Sequence, residues 1–141
     1  MAYPDNCIKG IPNQDCLHVF ADSVVATINL FCFPRDRCRA DGWIEESVNW
    51  MDDDSALEFT LRQVRDGGEL HFTVGIAVLP RTALDRVRKR YAGHFDYERA
   101  AIPGNSYHGN LLLKGQMQKH LMSQIRALLA DAAEVRQRVD Q

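Results

Sequence analysis

The side chains best suited to chemistry lie in residues 94–110, a segment of loop-forming composition. It brings together a histidine, a carboxylate and an arginine, at His108, Glu98 and Arg99. A histidine serves as a general base when a carboxylate orients its ring, and an arginine binds phosphate oxygens. If the fold joins these groups, the segment predicts a small hydrolase-type enzyme that acts on a phosphate-containing substrate. We favour the alternative, a loop held by aromatic packing and by polar side-chain bonds to the backbone.

An acidic run, Asp52 to Asp54, follows a predicted strand and precedes a predicted helix. Carboxylates this close together, Asp52 and Asp54 above all, could hold magnesium for phosphoryl chemistry. Acidic residues at the start of a helix also complement its dipole and cap its free N–H groups. We favour the capping interpretation, and we expect no metal and no other cofactor.

Four cysteines are present, and all lie near the beginning of the chain, at Cys7, Cys16, Cys32 and Cys38. Their spacing lacks the close pairs that structural zinc sites present. No secretion signal precedes them, so we expect thiols and not disulfides. Cys16 lies two residues from His18, which is a weak pattern for a nucleophile and its base. We expect buried or incidental thiols.

A basic stretch lies between residues 81 and 90. Its candidates for nucleic-acid or anion binding are Arg86, Arg88, Lys89 and Arg90. Basic side chains bind the phosphate backbone, and the aromatic residues that follow could stack on bases. The same stretch fits the solvated face of a short amphipathic helix, and the pI of about 6.2 makes the electrostatic case small. Nucleic-acid binding is therefore the weaker alternative.

The C-terminal segment, residues 116–139, has the most regular pattern of the chain. Its apolar residues recur at spacings of three and four, which predicts one helix with a single apolar seam. The seam consists of Leu121, Ile125, Leu128, Ala132, Val135 and Val139. Core packing explains such a seam, but its last turns would project as a docking surface if the sheet covers only part of it. Tyr107 is a further residue that we expect in that surface.

Periodicity along the rest of the chain predicts strands interrupted by helices. Residues 1–15 show no period and are expected to be an irregular lead-in, and residues 16–33 read as one or two strands. The remaining predicted elements are, in order, a strand over 43–50, a helix after Asp54, a strand over 70–79, a helix over 83–91 and a strand over 110–114. The predicted fold class is therefore α+β: a small, mainly antiparallel sheet of about four strands, with three helices packed on one face.

Composition places the chain among ordinary globular proteins. It has 141 residues, of which 45% are hydrophobic and 26% charged, and a net charge of −2. We expect a single domain over residues 1–141. The start is polar, and the longest apolar stretch is much shorter than the roughly 20 residues that span a bilayer. We therefore expect no targeting segment, no membrane contact and a cytoplasmic location.

No motif with a diagnostic chemical logic is visible, whereas apolar and aromatic side chains are plentiful. The function that we expect is a small non-enzymatic interaction module, or an accessory subunit of a larger intracellular complex. Its partner would be another protein or a second copy of itself. The hydrolase is the alternative. The two separate once a structure shows whether His108 shares a pocket with a carboxylate, and whether the C-terminal seam is covered by its own chain.

Overall fold

The fold is built on one antiparallel sheet, and the computed structural model describes residues 3–139. In that range the strands are β1 (Asn6–Ile11), β2 (Leu17–Val19), β3 (Val24–Ala26), β4 (Trp43–Trp50), β5 (Gly75–Pro80), β6 (Phe95–Arg99), β7 (His108–Lys114) and β8 (Glu134–Gln137). The α-helices are α1 (Ser55–Arg62), α2 (Arg81–Arg90) and α3 (Lys119–Ala132), with short 3-10 helices at Gln14–Cys16, Ile28–Phe31 and Arg35–Arg37. Six strands form the main sheet in the order β6-β7-β4-β1-β5-β8, and β2 pairs with β3 separately.

The predicted strand and helix numbers are wrong, and so is the predicted layering. The main sheet of the described residues has six strands, not about four, and a second sheet has two. Short 3-10 helices accompany the three α-helices. The helices also lie on both faces of the sheet: Leu84 of α2 and Ile125 of α3 pack on the side of Cys7, whereas Ala56 of α1 packs on the side of Ile8. Cys7 and Ile8 are consecutive in β1 and therefore point to opposite faces.

The central strand β1 comes from the segment that was expected to be irregular. It pairs with β4 on one side and with β5 on the other. A central strand is buried on both faces, so it need not alternate between apolar and polar residues. Pro4 and Pro12, which suggested a loop, flank the strand at positions where a missing N–H costs no ladder bond.

Strand β4 covers the range that its alternation predicts, Trp43–Trp50. Ile44, Val48 and Trp50 are buried on one face of the sheet, which we call the core face. Its neighbours are β1 and β7, so the expected hairpin with the preceding strand is wrong. On the opposite face, which we call the cleft face, alternation places Ser47 and Asn49.

The core face holds most of the hydrophobic core. Helices α2 and α3 and the 3-10 helix Ile28–Phe31 pack there. Its largest fully buried side chains include Trp50, Phe31, Phe33 and Phe95. Burying side chains of this size is worth roughly 1.5–3 kcal/mol each, so this face supplies most of the packing energy. On the cleft face α1 covers Ile8, Ile76 and Val78 and leaves the polar side chains of β4 and β7 in a partly open cleft.

The C-terminal segment is not one helix. α3 ends at Ala132, and residues 134–137 turn back as the edge strand β8, which pairs with β5 and places Val135 opposite Ala77. The apolar spacing predicted a single helix wrongly, because residues four apart share a face in a strand as well as in a helix. Val135 and Val139 therefore fit either structure. None of the helices within residues 3–139 combines the length and the apolar composition that crossing a bilayer requires.

Candidate active site

A cleft of about 310 Å³ opens on the cleft face, between the sheet, α1 and two loops. The sheet forms its floor, α1 forms one wall, and the loops at 71–72 and 102–105 form its rim. The lining residues are Ile8, Gly10, Ser47, Val48, Asn49, Phe59, Thr60, Gln63, His71, Phe72, Ile102, Pro103, Gly104, Asn105 and His108. A volume of this size lies at the lower end of the range for small-molecule sites.

A serine–histidine pair lies on the floor of this cleft. Ser47 of β4 and His108 of β7 are on neighbouring strands, and Ser47 Oγ lies 3.3 Å from His108 Nε2. His108 Nδ1 lies 2.8 Å from the carbonyl oxygen of Ala100. A carbonyl oxygen only accepts hydrogen bonds, so Nδ1 carries the proton of the neutral ring. Nε2 then has a free lone pair, which accepts a hydrogen bond from the Ser47 hydroxyl group.

Arg37 lies on the other side of the Ser47 hydroxyl. Its Nη1 donates to Ser47 Oγ over 3.0 Å, and its Nη2 lies 3.8 Å from Glu45 Oε1. The Ser47 oxygen therefore donates to an imidazole and accepts from a guanidinium. A positive charge at this distance stabilises negative charge that develops on the serine oxygen or on a group bound to it.

The carboxylates near the pair are held by other partners. Asn110 Nδ2 donates to Glu98 Oε2 over 2.9 Å and to Glu45 Oε2 over 3.2 Å. Arg39 Nη1 lies 3.0 Å from Glu98 Oε2 and 3.5 Å from Glu45 Oε2. Arg39 also binds Asp41 and, by that hydrogen bond, lowers the pKa of the Asp41 carboxyl. Glu98 therefore orients Arg39 and Asn110, and the Ala100 carbonyl orients His108.

A chain of amide groups fixes the walls of the cleft to its floor. Asn49, which is buried, donates from Nδ2 to Thr60 Oγ1 and to Gln63 Oε1, each over 2.8 Å. Its Oδ1 accepts from Asn105 Nδ2 over 2.9 Å. Asn49 thus joins β4 to α1 and to the 102–105 turn, so the shape of the cleft depends on one side chain.

The other end of the cleft is closed by a phenylalanine that lies on a glycine. A Cβ atom on Gly10 would lie 2.2 Å from the Phe72 ring, so only glycine leaves room for that ring. His71 stacks on Phe72, with ring centroids 4.3 Å apart. Burial, with the nearby charges of Arg65 and Lys9, lowers the pKa of His71. These effects disfavour the charged form of the His71 ring.

The arrangement has the parts of an acyl-transfer site. A nucleophile and a base lie near hydrogen-bond distance, and a third group fixes the tautomer of the base. Arg37 supplies the positive charge for an oxyanion. The cleft that contains the pair can hold a small substrate.

No family model, curated protein or solved structure matches the chain. Within the described residues no group of three or more histidine, cysteine, aspartate or glutamate side chains is placed to hold a metal ion.

The predicted catalytic residues do not form one site. His108 lies in the cleft, whereas Glu98 binds Arg39 and Asn110. Arg99 makes two bonds of 2.7 Å to the carboxylate of Asp52 at the end of the sheet. These bonds lower the pKa of Asp52 and occupy both of its oxygens.

The rest of the acidic run is involved in capping and side-chain contacts. Asp53 Oδ1 accepts from the backbone N–H of Ser55 over 2.9 Å and from the Tyr107 hydroxyl over 3.1 Å. The first of these bonds holds the start of α1. Asp54, the other candidate for magnesium, is exposed just before the helix.

The basic stretch is partly neutralised by its own neighbours. Arg88 binds Asp85 and Asp96 and lies 4.5 Å above the ring of Tyr97. Arg90 lies over Tyr91. The other two candidates, Arg86 and Lys89, are exposed on α2. All four candidates are exposed, but Arg88 and Arg90 lie against acidic or aromatic neighbours, so one short helix gives little support to nucleic-acid binding.

Most of the C-terminal seam packs within its own chain. Ile125 is fully buried, and the main core covers parts of Leu121, Leu128 and Val135. Ala132 is also partly buried, at the end of α3. Val139 is the exception, with 84% of its surface exposed. Tyr107 contacts the smaller cluster beside α1 and packs against Phe59.

Sequence reasoning missed Ser47 and Arg37. Ser47 lies 61 residues before His108, and nothing in the sequence pairs the two. The alternation of β4 did place Ser47 on the more exposed face, opposite the apolar residues. The missing information was the neighbour of β4, since pairing with β7 is what brings Ser47 beside His108.

Proposed function

We propose that this protein is a small hydrolase of the serine–histidine type. The observation that carries the proposal is the Ser47–His108–Ala100 arrangement in an open cleft, at 3.3 Å and 2.8 Å. It differs from the hydrolase that the sequence offered as the alternative to an interaction module, because a carbonyl group replaces Glu98 and a serine is the nucleophile. The lining has no lysine or arginine among the described residues, so it favours an acyl group over a phosphate.

The reaction begins with attack of Ser47 Oγ on the substrate carbonyl carbon. The new bond pushes one electron pair onto the carbonyl oxygen, while the hydroxyl proton passes to His108 Nε2. Collapse of this intermediate breaks the bond to the leaving group, which takes the proton from Nε2. Water then attacks the acyl-serine in the same way, and it releases the acid and restores the Ser47 hydroxyl.

The direct test is covalent labelling with a fluorophosphonate probe, read by intact mass and peptide mapping. Ser47 Oγ is expected to displace fluoride and gain one adduct per chain. Ser47→Ala should remove the adduct, and His108→Ala should slow labelling about 100-fold or more, because a positioned base contributes at least that factor. Ser106→Ala and His120→Ala are matched controls, since both side chains are exposed and outside the lining.

Turnover of an activated ester gives a second readout. The wild-type protein should release p-nitrophenol from p-nitrophenyl butyrate, with a burst of one equivalent per chain when hydrolysis of the acyl-enzyme is slower than its formation. Circular dichroism establishes that each variant is folded. Labelling or turnover that survives unchanged in folded Ser47→Ala would refute the proposal.

Docking onto another protein is a second candidate function. The observation that favours it is a group of exposed apolar side chains, Val19, Phe20, Val25 and Ile28, on the β2–β3 hairpin and the 3-10 helix after it. Phe20 is 54% exposed and stacks on His18. Light scattering and mass spectrometry of co-purifying proteins test it: a stoichiometric complex lost in Phe20→Glu but kept in Thr82→Glu supports docking. A monomer without a co-purifying protein contradicts it.

A further inference from the structure

The lining of the cleft also bears on the kind of substrate. We infer that the cleft selects small uncharged esters whose acyl part is apolar or aromatic. This inference rests on the proposed hydrolase for its reaction. It concerns the walls of the cleft, whereas the proposed function concerns the Ser47–His108 pair.

Charge is the first discriminating property of the lining. Among the described residues that line the cleft there is no aspartate, glutamate, lysine or arginine. Desolvation and the nearby charges of Arg65 and Lys9 lower the pKa of His71, which disfavours its charged form. Arg37 is the nearest cation to the pair, but it binds Ser47 Oγ and lies outside the lining. A substrate carboxylate against the apolar walls would lose hydration without gaining a charged partner from the lining, since Arg37 is bound to Ser47 and Glu45.

The polar groups of the walls are the second property. Asn49 uses both ends of its amide within the protein, on Thr60, Gln63 and Asn105. Thr60 also donates to the Ala56 carbonyl over 2.8 Å. Polar groups that are already paired do not require a polar substrate, and they offer few bonds to one. The pair on the floor remains the main polar feature.

The remaining wall surface is apolar. Phe59 and Phe72 both line the cleft, on α1 and on the 71–72 loop. Ile102 lies at the rim and is 48% exposed. The Phe72 ring packs directly against Gly10, and this contact holds it in place as a flat surface. Such surfaces suit an alkyl chain or an aromatic ring, and about 310 Å³ restricts the substrate to small-molecule size.

The test is a matched pair of esters that differ in one terminal group. The acyl chain of p-nitrophenyl butyrate ends in a methyl group, and that of mono-p-nitrophenyl succinate ends in a carboxylate. After subtraction of spontaneous hydrolysis, kcat/KM for the butyrate should exceed that for the succinate by about tenfold or more. The reason is that the cleft lining contains no cation to pair with the terminal carboxylate of the succinate. Equal values, or a preference for the succinate, would overturn the inference.

A charge placed at the rim should change this preference. Ile102→Lys puts an ammonium group at the mouth of the cleft and should narrow the ratio at least threefold, because it offers the carboxylate a partner. Ile28→Lys is the matched control, since Ile28 is 39% exposed and lies outside the lining. A ratio that shifts equally in both variants would show that overall charge, not the cleft, controls selectivity, and would overturn the inference.

Binding without hydrolysis separates this inference from the proposed function. The slowly hydrolysed p-nitroanilides of the same two acids are titrated into Ser47→Ala and followed by NMR. Tighter binding of the butyric anilide, weakened in Phe72→Ala, supports the selectivity even if neither ester is turned over, and the hydrolase proposal alone then fails. No binding of either anilide, or tighter binding of the succinic one, overturns the selectivity.

Discussion

At the residue scale, the fold divides the cysteines into two chemical environments. Cys7 and Cys16 are buried, whereas Cys32 and Cys38 are exposed, and all four are free thiols. Burial raises the pKa of Cys7 to about 12 and also raises the pKa of Cys16. The thiolate is the reactive form, so burial suppresses reactivity both by blocking access and by keeping the proton on sulfur.

Alkylation should therefore distinguish the two pairs. With iodoacetamide at pH 8 we expect two rapid adducts per native chain, at Cys32 and Cys38, and four adducts in denaturant. The Cys7 thiol should react at least 100-fold more slowly than the Cys32 thiol in the native protein. Peptide mapping over a time course measures each site separately. Similar rates at Cys7 and Cys32 would contradict the burial of β1 at the centre of the sheet.

Ser47 and His108 show what a sequence reveals about a single residue. The alternation of β4 indicates which way Ser47 faces, and a histidine in a loop-like segment is a reasonable candidate base. Their meeting depends on the pairing of β4 with β7, in which Ser47 lies opposite Asn110 and Asn49 lies opposite His108. Pairing between strands this distant in sequence is a tertiary property, so local patterns could not predict it.

At the element scale, α1 is the wall that defines the cleft. It has eight residues, too few to be stable alone, so its position depends on contacts with the sheet. Ala56 packs on Ile8, and Thr60 accepts from Asn49 while it donates to the Ala56 carbonyl. The Thr60 side chain is 1% exposed, so its hydroxyl is a buried link between helix and sheet.

Thr60→Val should weaken that link without changing the volume much. We expect the free energy of unfolding to fall by about 1–3 kcal/mol, because a buried partner is removed from the Asn49 amide. Urea denaturation measures the change. Thr73→Val is the control: the Thr73 hydroxyl makes one bond, to the Pro12 carbonyl, at an exposed position, and its loss should cost about 1 kcal/mol or less. Equal costs for the two variants would contradict the role assigned to Thr60.

The same scale shows which elements a sequence could reveal. Strand β4 and helix α2 were predicted closely, because in each an apolar face alternates with a more polar face and so gives a clear period. Strand β1 was missed because it is buried on both faces, and β6 because its segment resembles a loop. Strand β8 was hidden because its apolar spacing continues that of α3. The missed elements are those whose residues carry no period of their own.

At the scale of the whole molecule, ionisable groups link stability to pH at both extremes. Hydrogen bonds from Arg39 and Arg99 lower the pKa values of Asp41 and Asp52. Their contribution is present above the unfolded value near 3.8 and is lost as the pH falls through the lower folded values. Both carboxylates are substantially exposed, so this acid-side effect is small.

The alkaline side depends more on the interior, through Cys7. Its folded pKa of about 12 lies above the ordinary thiol value of 9.0, so between these values the unfolded chain releases a proton that the folded chain keeps. The contribution of Cys7 to the free energy of unfolding is therefore fully present below pH 9 and falls as the pH rises towards 12, by at most about 1.4 kcal/mol per pH unit for one proton.

Urea denaturation between pH 8 and 11 measures this slope. Cys7→Ala should flatten it, whatever that variant costs at pH 8. Cys32→Ala should leave the slope unchanged, because its side chain is exposed to water in the folded chain. Parallel slopes for wild type and Cys7→Ala would show that the central strand does not exclude water from this thiol.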